Sequence, residues 1–305
     1  MSVPAATEAC VVCGAATVDA GPSVHGPSPQ VAGVPIELGD AAARVRRCPG
    51  CDLLFKHPFV SDAQLMDCYR QSPEDNWEHD PDPRKRRFDT LADLVRTHAP
   101  GPRVLDVGCS NGALLHHLGA EFERFGLEPS HSAAAVASTR GVGMLGATFD
   151  DLEPDALDGG DASAAPPVFD AILAIDVLEH LTDPPAFIAA VARHLRPGGV
   201  FIGLTGDHGA WPWRWQGAAY WYAALPEHQV FYGRRTIERL AADHGLAVLE
   251  QRRTSHARQS VSRTARDAVR GTLFGLRRRL GLAGNRPGPG WLPAHDHMLF
   301  VLRRV

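Results

Sequence analysis

Apolar positions after residue 100 alternate between short continuous runs and stretches with helical spacing. The continuous runs, which are typical of buried strands, are VLDVG, RFGLE, FDAILAIDVL, VFIGLT, LAVLEQ and the final DHMLFVLRR. Between them, apolar residues recur at helical spacing over 113–118, 132–139, 187–195 and the segment RRTIERLAADHG. Strands that alternate with helices form a parallel sheet covered on both faces, so the pattern predicts an α/β fold.

The first 60 residues do not continue this pattern and carry four of the six cysteines as two pairs. Cys10 and Cys13 form one C-x-x-C pair, and Cys48 and Cys51 form the other. Four thiolates at these spacings are typical of a closed, tetrahedral structural zinc site; four free core cysteines are the alternative. We therefore expect a zinc-binding module over 1–60, a linker with a leading helix over 61–100, and the α/β domain over 101–305.

The charge balance excludes a molecule held as a whole on nucleic acid or on anionic lipid, so any basic surface must be local. The chain has 31 basic and 35 acidic residues and a net charge of -4 with histidine neutral. Its apolar runs are shorter than the roughly 18 residues of a membrane span, and its start lacks the features of a signal peptide. We expect a cytoplasmic protein with a small-molecule partner rather than a nucleic acid; the oligomeric state stays open.

A glycine-rich turn, VGCSNG, follows the first strand of the α/β domain and precedes a helix. Glycines let the backbone approach a ligand at the polarised N-terminus of a helix. Glu128 closes the next strand 22 residues after Asp106, where a carboxylate can accept both hydroxyls of a ribose. These features predict a nucleoside-type cofactor, against the alternative of a Rossmann-like domain without one.

This region resembles the class I S-adenosylmethionine-dependent methyltransferases, whose first motif is D-x-G-x-G-x-G. The motif is Asp106 to Gly112 here, with Ser110 in place of the middle glycine. The resemblance implies a Rossmann-like sheet of seven strands whose last strand is antiparallel. It also implies contacts to S-adenosylmethionine, with the methionine end near the motif, the ribose on Glu128, the adenine near Asp150 or Asp151, and Asp176 toward the substrate. The implied cofactor residues are Asp106, Gly108, Cys109, Ser110, Gly112, Glu128, Pro129, Asp150, Asp176 and Val177. For Asp150 the alternative is a solvated turn.

The segment 206–232 contains most of the tryptophan and tyrosine of the chain and ends in PEHQVFY. Related tailoring methyltransferases have an E-H-x-x-x-F/Y pattern here, which Glu227, His228 and Tyr232 match. The resemblance implies that His228 is a general base, and Glu227 is placed to bias its tautomer or basicity. His180 is a second candidate base, and packing or capping is the alternative for both histidines. We expect a substrate lid whose wall includes Trp215, Trp221 and Tyr222; a packing cluster or dimer contact is the alternative.

The segment 254–294 is a basic insertion. Nine arginines lie between Arg252 and Arg279, with Asp267 as the single acid, and apolar residues recur at helical spacing. A basic amphipathic helix follows from this pattern. Its arginines fit a solvated face, the phosphates of a nucleotide-linked or phosphate-bearing substrate, a membrane surface or RNA.

An N-terminal four-cysteine module before a class I domain resembles sugar C-methyltransferases and related tailoring enzymes of secondary metabolism. The resemblance implies methyl transfer from S-adenosylmethionine to carbon or oxygen of a sugar or another small natural-product intermediate. Two other functions stay open. One is an RNA methyltransferase that grips phosphates with the zinc module and the arginine-rich helix; the other is a non-catalytic protein that keeps the cofactor fold.

Overall fold

The structure is a computed structural model that describes residues 8–38, 43–72, 81–152, 167–255, 261–284, 286–290 and 295–305, without the side chains of 81–86. In chain order the strands are β1 Val18–Pro22, β2 Gln30–Val31, β3 Val34–Pro35, β4 Arg44–Arg47, β5 Leu54–His57, β6 Arg103–Val107, β7 Glu123–Leu127, β8 Gly143–Gly146, β9 Phe169–Ile175, β10 Leu195–Gly206, β11 Val230–Phe231, β12 Leu246–Thr254 and β13 His297–Arg304. The helices are α1 Asp62–Arg70, α2 Pro81–His98, α3 Ala113–Leu118, α4 His131–Thr139, α5 Pro184–His194, α6 Trp211–Gln216, α7 Arg234–Asp243 and α8 Val261–Arg279.

A seven-stranded sheet has the order β12-β13-β10-β9-β6-β7-β8. The pairs from β10 to β8 are parallel, whereas β13 runs antiparallel to both β10 and β12. The predicted α/β sheet with an antiparallel last strand is therefore confirmed. The apolar pattern missed β8, because this strand has four residues of which two are glycines.

Helices cover the large sheet on both faces, as the continuous apolar runs predict. Along β9, Ala171 and Leu173 belong to one buried cluster, and Ile172 and Ala174 belong to the other. Successive side chains of a strand point to opposite faces, so the two clusters are the two cores of the sheet. In the described ranges, no helix is long and apolar enough to cross a membrane.

A second, smaller sheet joins the N-terminal region to the segment after α6. Its order is β1-β4-β5-β11, and β11 pairs antiparallel with β5. The backbone N–H of Lys56 donates to the carbonyl of Gln229 at 2.8 Å, next to this pairing. The region expected as a separate module over 1–60 thus takes its fourth strand from the segment that carries Glu227 and His228.

Candidate active site

A cavity of about 1210 Å³ lies where β6, β7 and β9 end. Parallel α/β sheets bind ligands at this edge, beyond the carboxyl ends of the strands. The structure brings most of the predicted site residues to the cavity wall, and these are Gly108, Ser110, Glu128, Pro129, Asp150, Asp176, Val177, His180, Trp221, Tyr222, Glu227 and His228. Residues of the β2–β3 hairpin and of α1 also line it, so the N-terminal region contributes part of the wall.

The glycine-rich turn lies close against Val177, the second residue after β9. Gly108 has a φ of 70°, and a Cβ there would lie 2.8 Å from Cγ2 of Val177. Ser110 also has a positive φ, 50°. Glycine adopts this left-handed backbone at little cost, whereas other residues adopt it rarely. Ser110 therefore has the backbone conformation that suits the glycine of the motif, although its residue type differs.

Glu128 fixes the turn by accepting two backbone hydrogen bonds. The N–H of Ser110 donates to Oε2 at 2.8 Å, and the N–H of Ser130 donates to Oε1 at 2.8 Å. Burial raises the pKa of this carboxyl, and the two donors oppose the increase. Each carboxylate oxygen has a further lone pair, so Glu128 can accept hydrogen bonds from a ligand in the cavity.

Three of the predicted cofactor residues, Asp106, Cys109 and Gly112, lie behind the turn and outside the cavity wall. Asp106 is buried; burial and the charge of Glu128 raise its pKa to about 8, and its Oδ1 has no hydrogen-bond partner in the described part of the chain. Cys109 packs against Gly126. A Cβ at position 126 would lie 2.5 Å from the Sγ of Cys109. Gly112 caps α3 with a φ of 71°. These residues shape the turn rather than form the wall.

The two acids considered for the adenine end have different roles. Asp151 accepts from the N–H groups of Ala147 and Thr148 at 2.6 and 2.9 Å, which closes the turn after β8. Asp150 is exposed and lines the cavity. Asp150 is therefore the acid with access to a ligand, and Asp151 is the one that holds the backbone.

His228 is 5% exposed, and its Nδ1 lies 2.8 Å from the carbonyl oxygen of Tyr222. A carbonyl only accepts, so Nδ1 carries the hydrogen and Nε2 is left as the basic nitrogen. Burial, together with the charges of His180 and Lys56, lowers the pKa of His228 well below 6.5. His228 is neutral at pH 7. The backbone carbonyl of Tyr222, rather than Glu227, sets its tautomer. An effect of Glu227 on the basicity of His228 stays a prediction.

His180 lies directly beside His228, with ring centroids 4.9 Å apart in an edge-to-face arrangement. Its Nδ1 is 2.8 Å from the hydroxyl of Tyr69, which belongs to α1. Burial lowers the pKa of His180. Two neutral histidines and a tyrosine therefore form the wall at this end. The sequence analysis did not predict Tyr69, because its segment carries no motif.

Glu179 is the buried acid that the sequence prediction missed. It accepts hydrogen bonds from Thr205 at 2.8 Å and from Tyr222 at 2.5 Å. Burial and the charge of Asp176 raise its pKa to about 7. The only sequence signal is an acid directly after a buried strand, in LEHL. Glu179, His180 and His228 offer ligand atoms that all lie within 4.8 Å of one another.

Lys56 of β5 is buried beside the segment that carries His228. Its Nζ donates to the carbonyl of Leu225 at 2.6 Å. Burial lowers the pKa of Lys56 to about 7, and the charge of Glu227 opposes this decrease. Burial also raises the pKa of Glu227, whose Oε2 has no hydrogen-bond partner among the described residues. The N-terminal sheet thus places a titratable cation near His228.

The aromatic segment 206–232 is mostly packing. Trp213 and Tyr220 are buried in one cluster with Phe231, whereas Trp221 and Tyr222 reach the cavity wall. Trp215 does not, which corrects its expected substrate role: its Nε1 donates to the carbonyl of Thr272 at 3.1 Å. This tryptophan packs on α8, because a glycine in α8 leaves room for its ring.

The four paired cysteines converge. Sγ of Cys10 is 3.5 Å from Sγ of Cys51, and Sγ of Cys13 is 3.4 Å from Sγ of Cys48. All four sulfurs lie within 4.8 Å of one another. The backbone N–H of Cys51 also donates to Sγ of Cys48 at 3.4 Å, as expected for a C-x-x-C turn that orients its sulfurs inward.

A family model described as a methyltransferase domain matches residues 77–251. The chain belongs to this methyltransferase family. The match covers the strands and turns that build the cavity from β6 to β12, so it confirms the methyltransferase part of the resemblance.

Curated relatives share part of the chain. A ubiquinone biosynthesis O-methyltransferase of Xanthomonas campestris pv. campestris is 35% identical over 123 residues, which are 38% of this chain and 47% of the relative. A ubiquinone biosynthesis O-methyltransferase of Thiobacillus denitrificans is 30% identical over 175 residues, which are 55% of this chain and 72% of the relative. The chain spans about half the length of the first of these relatives.

Among solved structures, the N-methyltransferase NodS of Bradyrhizobium japonicum, in complex with S-adenosyl-L-homocysteine, resembles the chain with a TM-score of 0.47. The two are 18% identical, and the alignment covers 79% of this chain and 97% of NodS.

Proposed function

We propose that the protein transfers a methyl group from S-adenosylmethionine to an oxygen or carbon of a small acceptor, a sugar or another secondary-metabolite intermediate. The observation that carries this proposal is a neutral, buried His228 in the same cavity as the Glu128 turn. Both curated relatives are named ubiquinone biosynthesis O-methyltransferases, which supports O-methylation of a small molecule.

The cofactor end of the cavity fits S-adenosylmethionine. Glu128 has lone pairs for the ribose hydroxyls, and Asp150 is exposed at the expected adenine end. Asp106 lies behind the turn with an acceptor atom unpaired among the described residues, so the cofactor's ammonium or a water held by it would satisfy that atom. When bound, S-adenosylmethionine supplies a methyl group already activated by a sulfonium.

The acceptor end fits proton removal from a hydroxyl or an acidic carbon. His228 holds its hydrogen at Nδ1 against the carbonyl of Tyr222, so Nε2 is free to take a proton. Because the pKa of His228 lies well below 6.5, the residue is already neutral at pH 7. Trp221 and Tyr69 provide flat walls that orient the acceptor and exclude water.

We also propose a structural zinc ion on Cys10, Cys13, Cys48 and Cys51. A tetrahedral ion with Zn–S bonds of about 2.3 Å places its sulfurs about 3.8 Å apart. The sulfur distances of 3.4 and 3.5 Å, with all four within 4.8 Å, fit this donor set. Four thiolates leave no open coordination position, so the ion would stabilise the fold of β4 and β5 and take no part in the reaction.

Methyl-labelled S-adenosylmethionine tests the proposal. The full chain is incubated with the labelled cofactor and either a small-molecule extract or total RNA, and the label is followed by chromatography. We expect label in a small-molecule product with wild-type protein and at least a hundredfold less with His228→Ala. Label in RNA would overturn the acceptor class. Tight cofactor binding without label transfer in either fraction would favour a non-catalytic protein.

A further inference from the structure

Helix α8 presents a row of large apolar side chains to solvent. Val269, Leu273, Leu276 and Leu280 are 59, 55, 47 and 63% exposed. Their spacing of four, three and four residues places them on one face. Six of the eleven exposed large hydrophobic residues of the described chain lie between Val261 and Leu282, so this face is a concentrated patch.

The opposite face of α8 is the one that packs on the protein. Gly271 and Gly275 are buried there, and a Cβ on Gly275 would lie 2.0 Å from Nε1 of Trp215. The guanidinium of Arg279 lies 3.6 Å from the centroid of the Trp215 ring. The helix is therefore anchored through α6, and the row of apolar side chains is not part of the core.

An arginine row runs along one edge of the apolar row. Arg263, Arg266, Arg270 and Arg277 are all exposed, and at 100° per residue they fall within 60° of one another. Asp267, the single acid of the helix, is half-buried and lies toward the packed side. The exposed surface of α8 thus combines an apolar face with a uniformly positive edge, in a chain whose net charge is -4.

We propose that α8 lies in the surface of a membrane that carries anionic phospholipid. Val269 and the three leucines of the apolar row would enter the boundary of headgroups and acyl chains, and the arginine row would contact lipid phosphates. Trp211, which is 56% exposed, stacks on Trp215 with ring centroids 5.9 Å apart, so an exposed indole borders the same helix. Indoles favour the interfacial region.

Charge and hydrophobicity together favour an anionic membrane over RNA or a second copy of the chain as the partner of α8. RNA would pair with the arginine row but would leave the apolar row in water. A second copy, paired antiparallel on the apolar row, would bring two arginine rows side by side, and like charges repel. An anionic bilayer would bury the apolar row and place the arginine row against lipid phosphates at the same time. The inference does not rest on the proposed methyl transfer.

Vesicle co-sedimentation of the full chain tests the proposal. Vesicles of phosphatidylcholine alone are compared with vesicles that also contain phosphatidylglycerol. We expect binding to the anionic vesicles and at least tenfold weaker binding to the neutral ones. Arg266→Gln combined with Arg270→Gln should weaken anionic binding about thirtyfold, and Leu273→Glu about tenfold or more.

Matched controls separate the helix from general effects of charge and hydrophobicity. Val18→Glu changes an apolar residue of β1 that is 53% exposed and lies outside α8, and Arg234→Gln with Arg239→Gln removes two charges from α7; both should bind vesicles like the wild type. The proposal is wrong if neither vesicle binds. It is equally wrong if Leu273→Glu leaves vesicle binding intact while it splits a dimer in light scattering, or if RNA but not lipid binds through the arginines.

Discussion

The two ends of the cavity are assembled from residues at very different sequence separations. At the cofactor end, Ser110 and Glu128 are hydrogen-bonded across 18 positions, and one contiguous motif forms the turn. At the acceptor end, Tyr69 meets His180 across 111 positions, and Lys56 meets Leu225 across 169. The cofactor end is thus a property of neighbouring strand-turn units that follow one another in the chain, whereas the acceptor end exists only when the N-terminal sheet is joined to the rest.

This difference predicts that damage to the N-terminal region should abolish turnover and spare cofactor binding. Lys56 and Tyr69 both follow the cysteine cluster in the chain, and β5 pairs with β11 just after His228. The fold of the first 60 residues therefore positions the acceptor end.

Loss of the proposed zinc site should have the largest effect. Structural zinc contributes roughly 10 to 16 kcal/mol in small zinc-binding peptides, so Cys48→Ser with Cys51→Ser should unfold the N-terminal sheet. We expect turnover to fall about a thousandfold or more, with affinity for S-adenosylmethionine, measured by calorimetry, changed less than about threefold. Metal analysis should give about one zinc per wild-type chain.

Cys68→Ala is the matched control, because Cys68 is buried in a different cluster and lies outside the four-cysteine set. It should retain both zinc and turnover. A doubly substituted, metal-free protein with normal turnover would show that the acceptor end does not depend on the cysteine cluster.

His228→Ala tests the acceptor end directly. General-base assistance is typically worth about a hundredfold to ten-thousandfold in rate, so kcat should fall by that order with cofactor affinity nearly unchanged. His180→Ala should reduce kcat less than His228→Ala. Near-normal kcat without His228 would assign proton removal to His180 or to water.

Glu128→Ala tests the cofactor end. A carboxylate that accepts hydroxyl hydrogen bonds contributes roughly 1.5 to 3 kcal/mol, so the Kd of S-adenosylmethionine should rise about tenfold or more. The kcat at saturating cofactor should change little, since Glu128 lies at the other end of the cavity from His228. Asp150→Ala, on an exposed turn, should raise the Kd less. An unchanged Kd in Glu128→Ala would exclude the ribose role.

The sequence predicted the cofactor end well because its geometry is local. Gly108, Glu128 and the buried strands report backbone constraints that act over one or two elements. It predicted the acceptor end in part, through His228 and His180. It did not predict Tyr69, Lys56 and Glu179, because contacts between distant parts of the chain place them. Tyr69 is hydrogen-bonded to His180, Lys56 lies on the strand that pairs with β11, and Glu179 accepts from Thr205 and Tyr222. No local pattern encodes these contacts. Trp215 was misplaced for the same reason: periodicity does not distinguish an aromatic that packs on α8 from one that lines the cavity.

The smallest expected effect is a shift in pH dependence. The acid limb of kcat/KM should report protonation of His228, whose pKa lies well below 6.5 mainly through burial and partly through the charges of His180 and Lys56. Lys56 has a pKa of about 7, so it is cationic below pH 7, where it disfavours the imidazolium of His228. Lys56→Met removes this charge, so the pKa of His228 should rise and the acid limb should move to higher pH.

Lys56→Arg is the matched control, because it keeps the cation and should leave the acid limb low. At pH 8 the lysine is mostly neutral, so the Met variant should lose there only the hydrogen bond to Leu225, a roughly two- to tenfold decrease in kcat. Rates measured between pH 5 and pH 8 for the wild type, Lys56→Met and Lys56→Arg separate the effect of the charge from that of the hydrogen bond. If the acid limb of Lys56→Met stays in place or moves to lower pH, the N-terminal sheet positions His228 without lowering its pKa.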